Sequence, residues 1–376
     1  MNIENTTPIK VISADSHVAE REFVFADTTS KYRESMPFEI YNERHGGAIL
    51  VVPGIEQQLP MALLCTAGRP SSEIIKKPVG WHELHPGAID PKARLKVQDQ
   101  ENVLAEVIFP SVGMLICNHP DMDYRKVCFE AYNRWIFEFS SHSPERLLGV
   151  PLISIRTIAE GLNAIQHAKD NGARAVMFPG NAVFDDYDHV NYDPIWELCA
   201  ALNLPVCFHI LASSSDLASS TRGSNPKAGA MVRQLHILRG NQDIMAMLIF
   251  GGVFTRHPTL KVVCVEADGG WVPHFLWRLN HAYEIHRHYL GLDIGKGPSE
   301  YFFDNIYLTF QDDLSVALTM EGQNPNRLMF ATDFPHADGT FPHSQSALNK
   351  LCTNMSLEVK EKIAYKNAAE LFSIVC

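Results

Sequence analysis

The feature that most limits what this chain can fold into is a regular alternation of short apolar runs with longer amphipathic segments. Eight runs of strand length, rich in Val, Ile, Leu and Phe, recur along the chain, and segments of helical periodicity separate most of them. The runs are apolar throughout, which is typical of parallel strands buried on both faces. We therefore predict an α/β fold, a (β/α)8 TIM barrel, with residues 1–376 as a single domain. The first run ends at Asp15, and the other predicted strands cover residues 104–110, 147–153, 173–178, 204–210, 260–266, 305–310 and 327–333.

The connection after the first strand departs from this alternation. It runs from about residue 21 to 100 and is rich in Pro and Gly. Connections between the strands and helices of such folds usually take only a few residues, so we predict an insertion here, with residues 47–53 forming part of a small hairpin. Trp81, within the insertion, is a candidate for binding substrate at the strand ends.

Composition restricts the class of partner. The formal net charge of −11 argues against nucleic acid or an anionic membrane surface, and no apolar run approaches the ~20 residues that span a bilayer. The eight Cys are scattered, mostly within apolar runs, and no CxxC occurs, so we expect reduced core thiols in a cytoplasmic protein. The expected partners are a small-molecule substrate and a second copy of the chain. A homodimer would have a candidate surface in the helix that carries Trp271, Phe275 and Trp277.

Ionisable residues follow four of the apolar runs. Asp15 and His17 end the first strand, His209 the fifth, Glu266 the sixth and Asp333 the eighth. Each alone has an ordinary structural explanation, such as a helix cap or a hydrogen-bonded core residue. The active site of a (β/α)8 barrel lies where the carboxyl ends of its strands meet, so together these residues predict a metal site. Nitrogen and oxygen ligands without sulfur suit Zn²⁺, Mn²⁺ or Fe²⁺.

The number of metal ions is left open by the residues near this set. Glu20 and His336 are further candidate ligands, and so many carboxylates around one divalent cation would carry excess negative charge. Two ions would balance that charge, although Glu20 has an equally plausible place as a surface residue beside Arg21. At the same rim, Asn181 follows the fourth strand and Arg222 lies in a Ser-rich loop after the fifth, and both are candidate substrate-binding residues.

Several motifs resemble one known superfamily of metal-dependent enzymes. They are Asp15-x-His17, His209, residues 131–135 (AYNRW), 251–258 (GGVFTRHP), 269–273 (GGWVP) and 331–336 (ATDFPH). From about residue 9 to 372 the chain resembles the amidohydrolase superfamily, in particular the amidohydrolase-2 branch that includes aminocarboxymuconate-semialdehyde decarboxylase.

The resemblance implies ligand roles for Asp15, His17, His209 and Asp333, and a second role for Asp333 as proton acceptor. Two positions depart from the family pattern. Asp15 stands where the first strand usually carries His, and Glu266 stands near the place of a His that acts as catalytic acid or base. Glu266 can donate a proton at neutral pH only if burial or another carboxylate raises its pKa.

The expected function is metal-dependent hydrolysis of a small organic acid or amide by metal-activated water, with Asp333 and Glu266 as the catalytic residues. Non-oxidative decarboxylation of an aromatic carboxylic acid is the first alternative. A dinuclear iron or manganese oxygenase on the same fold is the second, supported by the carboxylate count. The third, a non-catalytic metal-binding partner subunit, is opposed by the intact ligand set.

Overall fold

In a computed structural model that describes residues 8–28, 31–74, 76–213 and 225–376, parallel strands form two sheets, which we call the two arcs. The strands are β1 (Val11–Val18), β2 (Phe38–Asn42), β3 (Gly47–Val51), β4 (Leu59–Pro60), β5 (Val103–Pro110), β6 (Leu147–Gly149), β7 (Val176–Met177), β8 (Val206–His209), β9 (Val262–Val265), β10 (Ile306–Phe310) and β11 (Leu328–Phe330). One arc has the order β1-β5-β6 and the other β7-β8-β9-β10-β11, with every pair parallel.

Backbone hydrogen bonds link the two arcs at both of their edges. The amide of Ile153 donates to the carbonyl of Met177 at 3.0 Å, and the amide of Met177 donates to the carbonyl of Pro151 at 2.9 Å. At the other edge, the amide of Asp333 donates to the carbonyl of Asp15 at 3.2 Å. The eight strands of the two arcs follow one another in chain order, as the prediction of a TIM barrel requires.

Helices separate the successive barrel strands. The helices are α1 (Glu22–Ala26), α2 (Met61–Leu64), α3 (Ser71–Ile74), α4 (Pro91–Glu101), α5 (Val112–Ile116), α6 (Met122–Ser141), α7 (Ile158–Asp170), α8 (Asp193–Ala201), α9 (Pro226–Phe250), α10 (Val253–Arg256), α11 (Val272–Leu290), α12 (Pro298–Asn305), α13 (Leu314–Leu318), α14 (Ser344–Leu351), α15 (Leu357–Glu361) and α16 (Asn367–Leu371). Within the described ranges, these helices are too short or too polar to cross a lipid bilayer.

The insertion after β1 contains a small antiparallel sheet, β2-β3-β4, in which the predicted hairpin segment supplies β3. Its last part is helix α4, which the sequence did not predict. Asp90 caps this helix by accepting a hydrogen bond from the amide of Lys92, Pro91 occupies the first turn, and Asn102 ends it in a left-handed conformation. The insertion therefore ends in a helix that leads directly into β5.

The barrel strands are buried throughout, as their continuous apolar character predicted. All eight residues of β1 are buried, and so are all residues of β8 and β9. Several strands are shorter than predicted; the apolar run 173–178, for example, contributes only β7 to the sheet. Seven of the eight cysteines are buried and unpaired, and Cys376 is exposed.

Candidate metal centre

Five ionisable residues meet at the carboxyl ends of the barrel strands, and we refer to them as the strand-end cluster. Asp15 and His17 lie two residues apart on β1, where alternate residues point to the same side. His209 is the last residue of β8, Glu266 directly follows β9, and Asp333 lies three residues after β11. The side chains of the cluster are fully buried except that of Glu266, which is 15% exposed.

The polar atoms of the cluster converge on a common point. The Nε2 atoms of His17 and His209 each lie 3.5 Å from Oδ1 of Asp15. Nε2 of His17 is also 3.3 Å from Oδ1 of Asp333, and Nε2 of His209 is 3.6 Å from Oε2 of Glu266. The four residues Asp15, His17, His209 and Glu266 could hold one ion with ligand atoms within 4.8 Å of one another.

Backbone carbonyls select the tautomer of both histidines. Nδ1 of His17 lies 3.1 Å from the carbonyl of Pro110, and Nδ1 of His209 lies 3.1 Å from the carbonyl of Ile210. A carbonyl can only accept a hydrogen bond, so each ring carries its proton on Nδ1 and, when neutral, directs the lone pair of Nε2 into the cluster. This is the arrangement in which imidazole binds a metal ion.

The same atoms have no hydrogen-bond partner within the described part of the chain. Both carboxylate oxygens of Asp15, Oδ2 of Asp333, and Nε2 of His17 and His209 are buried without one. A buried polar atom left unpaired costs about 1–3 kcal/mol, so such groups are rarely gathered without a purpose. Lone pairs that face one another across 3.3–3.6 Å fit a divalent cation between them.

The backbone at two of these residues is strained. Glu266 and Asp333 have φ values of 56° and 52°, in the left-handed backbone region that residues other than Gly rarely adopt. The amide of Glu266 is held by the hydroxyl of Thr309 at 2.8 Å. Strain of this kind is concentrated at functional sites, where it aims a side chain in a direction that an ordinary strand end would not allow.

Burial and neighbouring charges shift the pKa values of the cluster in different directions. Burial, assisted by the nearby His336, lowers the pKa of His17 to about 4, so the ring is neutral at pH 7. Burial, followed by the charges of Asp333 and Asp15, raises the pKa of Glu266 well above its usual range. Burial also opposes ionisation of Asp333, but the positive charge of His336 outweighs it and holds the pKa of Asp333 well below its usual range.

His336 lies beside the cluster. Its Nδ1 is 3.1 Å from Oδ1 of Asp333, its Nε2 is 3.2 Å from Oγ of Ser111, and its ring stacks on that of His17 with centroids 4.0 Å apart. His17, Asp333 and His336 form a second group that could hold an ion, but it shares His17 with the first. The single free nitrogen of His17 can bind one ion only. His336 is therefore placed to orient Asp333.

Glu20, a predicted metal ligand, is placed elsewhere by the structure. Its carboxylate is buried and accepts hydrogen bonds from the amides of Ser111, Val112 and Gly113 at 2.9, 3.1 and 3.0 Å, at the start of α5. The first amides of a helix have no carbonyl partner within the helix, so they readily donate hydrogen bonds to a carboxylate. Both oxygens of Glu20 are occupied, so we correct the prediction and remove Glu20 from the candidate ligands.

The three predicted substrate-binding residues have different outcomes. Trp81 makes its contacts within the insertion: its Nε1 donates to the carbonyl of Ile40 at 3.2 Å, and the guanidinium of Arg21 lies 5.0 Å from its ring centroid. Asn181 follows β7 and lines a cavity of about 390 Å³ beside α9, where its Oδ1 accepts a hydrogen bond from Ser213. Arg222 lies outside the described residues.

Two residues that the sequence did not single out lie close to the cluster. Burial, and then the charges of Asp313 and Asp312, raise the pKa of Asp268 to about 6; Asp268, two residues after Glu266, also has a left-handed φ of 57°. Arg94, in α4, is fully buried. No sequence pattern distinguishes Arg94 from the other polar residues of the insertion, so the sequence did not mark it as part of the site.

The sequence matches a protein-family model over most of its length. The model of a family described as amidohydrolase matches residues 84–374. Among curated proteins, a gamma-resorcylate decarboxylase of Polaromonas sp. is 24% identical over 192 residues, which is 50% of this chain and 56% of the relative. The chain thus spans little more than half the length of that curated relative.

Solved structures match over nearly the whole chain. An amidohydrolase of Mycobacterium avium subsp. paratuberculosis K-10 has a TM-score of 0.78 at 21% identity, with 98% of this chain and 100% of that chain covered. A dihydroxybenzoic acid decarboxylase of Polaromonas sp. JS666, solved with bound manganese and the inhibitor 2-nitroresorcinol, has a TM-score of 0.65 at 16% identity, with 97% of each chain covered. At these identities the likeness establishes the fold.

Proposed function

The chain belongs to the amidohydrolase family, and we propose that it is a divalent-metal-dependent, non-oxidative decarboxylase of a small aromatic carboxylic acid. The family match bears out the resemblance inferred from the motifs at the strand ends. The curated relative and the manganese-bound structure are named as decarboxylases of hydroxylated benzoic acids, which supports decarboxylation over hydrolysis, the reaction that we expected first.

The observation that carries the proposal is the set of unpaired, buried atoms in the strand-end cluster. Asp15, His17 and His209 would hold the metal together with Asp333, whose Oδ1 lies 3.3 Å from Nε2 of His17. Glu266, which could also reach the ion, would lie at the accessible edge of the centre. A divalent metal bound there supplies a Lewis acid that polarises a substrate oxygen and stabilises negative charge beside it. Manganese suits a set of nitrogen and oxygen ligands without sulfur.

Decarboxylation of an aromatic acid needs a proton at the ring carbon that carries the carboxylate. We assign its delivery to Glu266, which has the only partly exposed side chain of the cluster and can therefore meet both substrate and solvent. The proton adds to the ring carbon, the bond from that carbon to the carboxylate breaks, and its electron pair returns to the ring as carbon dioxide leaves. Solvent then reprotonates Glu266. Asp333, whose pKa is low, serves as a ligand and proton acceptor rather than a donor.

The geometry favours one metal ion over two. Among the described residues, the two groups of possible ligands share His17, and the carboxylate of Glu20 is occupied by the amides at the start of α5. A dinuclear oxygenase would need an independent second set of ligands. The strand-end cluster also argues against a non-catalytic subunit, because unpaired buried carboxylates destabilise a protein that does not use them.

The test is an assay of the manganese-loaded protein against a panel of hydroxylated benzoates, with loss of the carboxylate followed by proton NMR. We expect release of carbon dioxide and uptake of one solvent proton per turnover. Glu266→Gln should reduce kcat by about 10²–10⁴-fold, the usual contribution of a positioned acid. Glu160→Gln, in a surface ion pair with Arg156, is the control and should leave kcat unchanged. Hydrolysis of amides or esters without carbon dioxide release would overturn the proposal in favour of a hydrolase.

We also propose that the chain forms a homodimer through the outer face of α11. The inner face of this helix buries Val272, Leu276 and Leu279. On the opposite face, Trp277 and Ile285 lie two turns apart and are each 57% exposed, and Tyr289, one turn further along, is 90% exposed. Of the three aromatic residues predicted for a dimer, Trp271 and Phe275 pack in the barrel shell, with ring centroids 5.0 Å apart, so Trp277 alone faces outward.

The exposed area of this face is large enough for a specific contact with a second copy of the chain. Each large aromatic side chain can bury about 150–250 Å², so a two-fold contact covering these side chains in both copies reaches on the order of 1,000 Å², where specific interfaces begin. Light scattering should give a mass of twice 42.1 kDa for the wild type and 42.1 kDa for Trp277→Glu. Leu318→Glu, at an apolar residue that is 86% exposed on another helix, is the control and should remain dimeric. A monomeric wild type would refute the proposal.

A further inference from the structure

Arg94 is fully buried in α4, next to the strand ends but outside the strand-end cluster. We propose that Arg94 is a positioning residue that fixes the relative placement of the two strand ends carrying His17 and Asp333, and thereby sets the affinity and geometry of the metal centre. The inference rests on the proposed metal-dependent function of that centre.

The charge of Arg94 is compensated by one buried carboxylate. Its Nε donates to Oε2 of Glu106, on β5, at 2.5 Å, and Glu106 is 2% exposed. The same oxygen accepts a second hydrogen bond from Nε2 of Gln98 at 2.8 Å. A buried guanidinium needs such a partner, because an unpaired charge in the protein interior is strongly destabilising. The ion pair accounts for one edge of the guanidinium and leaves the remaining N–H groups free to act elsewhere.

Those remaining N–H groups donate to three backbone carbonyls from separate parts of the chain. Nη1 donates to the carbonyl of His17 at 2.7 Å and to that of Gly87 at 3.1 Å, and Nη2 donates to the carbonyl of Phe334 at 3.3 Å. His17 is itself a proposed ligand, and Phe334 directly follows the ligand Asp333. One rigid, planar group thus holds the backbone of both ligand-bearing strand ends.

The two strand ends are also joined directly, so Arg94 acts on a preformed contact. The amide of His17 donates to the carbonyl of Phe334 at 2.7 Å, the same carbonyl that accepts from Arg94. Across this contact, Nε2 of His17 and Oδ1 of Asp333 lie 3.3 Å apart, and their lone pairs repel one another because the proton of His17 is on Nδ1. Contacts from Arg94 to both backbones would hold the ligands at metal-binding distance against that repulsion.

The ring of Phe334 adds a contact that depends on guanidinium shape. The centre of the Arg94 guanidinium lies 4.5 Å from the centroid of Phe334. A planar guanidinium can stack on an aromatic ring while donating in several directions within its plane, whereas the ammonium of Lys is a single point charge. Arg94→Lys therefore keeps the charge beside Glu106 but cannot reach three carbonyls at once. The proposal requires that Lys fails to replace Arg.

The test compares manganese binding by the wild type and Arg94→Lys, both checked for a cooperative thermal transition. Titration against a competing chelator should show a 10–100-fold loss of manganese affinity in the variant, the range found when a residue that orients metal ligands is lost. The electron paramagnetic resonance spectrum of the bound manganese should also change, which a loss of stability alone would not cause. Arg156→Lys, another arginine paired with carboxylates, is the matched control and should bind manganese like the wild type.

Each outcome decides between the two proposals. Wild-type affinity and an unaltered spectrum in Arg94→Lys would overturn the positioning role while leaving the metal centre intact. Failure of the wild type to bind manganese would overturn the centre and this inference with it. If Arg94→Lys does not fold, the double variant Arg94→Met/Glu106→Leu removes the buried charges together; unfolding of that variant too would make Arg94 a general structural residue and overturn the inference.

Discussion

Replacing Asp15 by Asn should make the metal-free protein more stable while abolishing metal binding. Within the described part of the chain, both oxygens of Asp15 are buried without a hydrogen bond, and Oδ1 faces the Nε2 lone pairs of His17 and His209 at 3.5 Å each. Three acceptors therefore face one another with no proton between them. The amide of Asn introduces a donor at this point and removes one negative charge.

The size of the effect can be estimated from the unpaired atoms and the chain length. Relief of one unpaired buried acceptor is worth about 1–3 kcal/mol. With about 2.1 cal/mol/K of unfolding entropy per residue and 376 residues, 1 kcal/mol corresponds to a change in Tm of about 1.3 °C. Metal-free Asp15→Asn should therefore melt about 1–4 °C above the metal-free wild type. Metal at 100 times its Kd stabilises the wild type by about 2.7 kcal/mol, or about 3 °C, but should not shift the variant.

Differential scanning calorimetry of both proteins, in chelator and in excess manganese, measures all four transitions. Asp99→Asn is a suitable control, because Asp99 is 66% exposed and forms only a surface ion pair with Arg146. It should change Tm little and retain the full metal shift. The reasoning is refuted if metal-free Asp15→Asn melts below the wild type and still gains the wild-type shift on adding manganese.

Three other substitutions test the surroundings of the centre. Glu20→Ala should destabilise the protein by about 1–3 kcal/mol in urea unfolding, because three amides of α5 lose their partner, but metal analysis should still find one equivalent. Glu266→Gln should be compared with the wild type in chelator. Burial raises the folded-state pKa of Glu266 above the ordinary 4.5. The stability contributed by protonated Glu266 is therefore fully present below pH 4.5 and is lost as pH rises towards the folded-state pKa. The wild type should thus lose stability relative to the variant as pH rises above 4.5, and a constant difference would contradict the assignment. Asp313→Ala should lower the free energy of unfolding by about 1–3 kcal/mol above pH 4 and by less in acid. Hydrogen bonds from Ser315 and from the amides of Gly269 and Gly270 outweigh burial and lower the pKa of Asp313. The stabilisation by ionised Asp313 is therefore lost as pH falls through that pKa.

Much of the barrel and its site could be predicted because the burial of parallel strands leaves a simple trace in the sequence. Each barrel strand is buried on both faces, so its sequence is an uninterrupted run of apolar residues. An ionisable residue that ends such a run is conspicuous, and the fold brings the ends of all the runs to one place. This reasoning located Asp15, His17, His209, Glu266 and Asp333, which the structure brings together.

What escaped prediction depends on polar contacts between distant parts of the chain. Helix α4 was missed because its buried face carries Arg94, Gln98 and Glu101 in place of apolar residues, so it lacks the usual amphipathic pattern. Glu20 was assigned to the metal because the amides that it caps, at the start of α5, follow β5 and cannot be located from the spacing around Glu20. The sequence alone also favoured hydrolysis over the decarboxylation for which the relatives are named, because one scaffold and one ligand set serve many chemistries.

The join between the two edges of the barrel has a consequence for how the protein is made. Asp15 emerges from the ribosome early and Asp333 late, and the amide of Asp333 reaches the carbonyl of Asp15 only when β11 has taken its place. A nascent chain therefore holds only part of the strand-end cluster through most of its synthesis. Metal binding at the proposed centre would then depend on complete assembly, because the proposed ligands come together only when all eight barrel strands are in place.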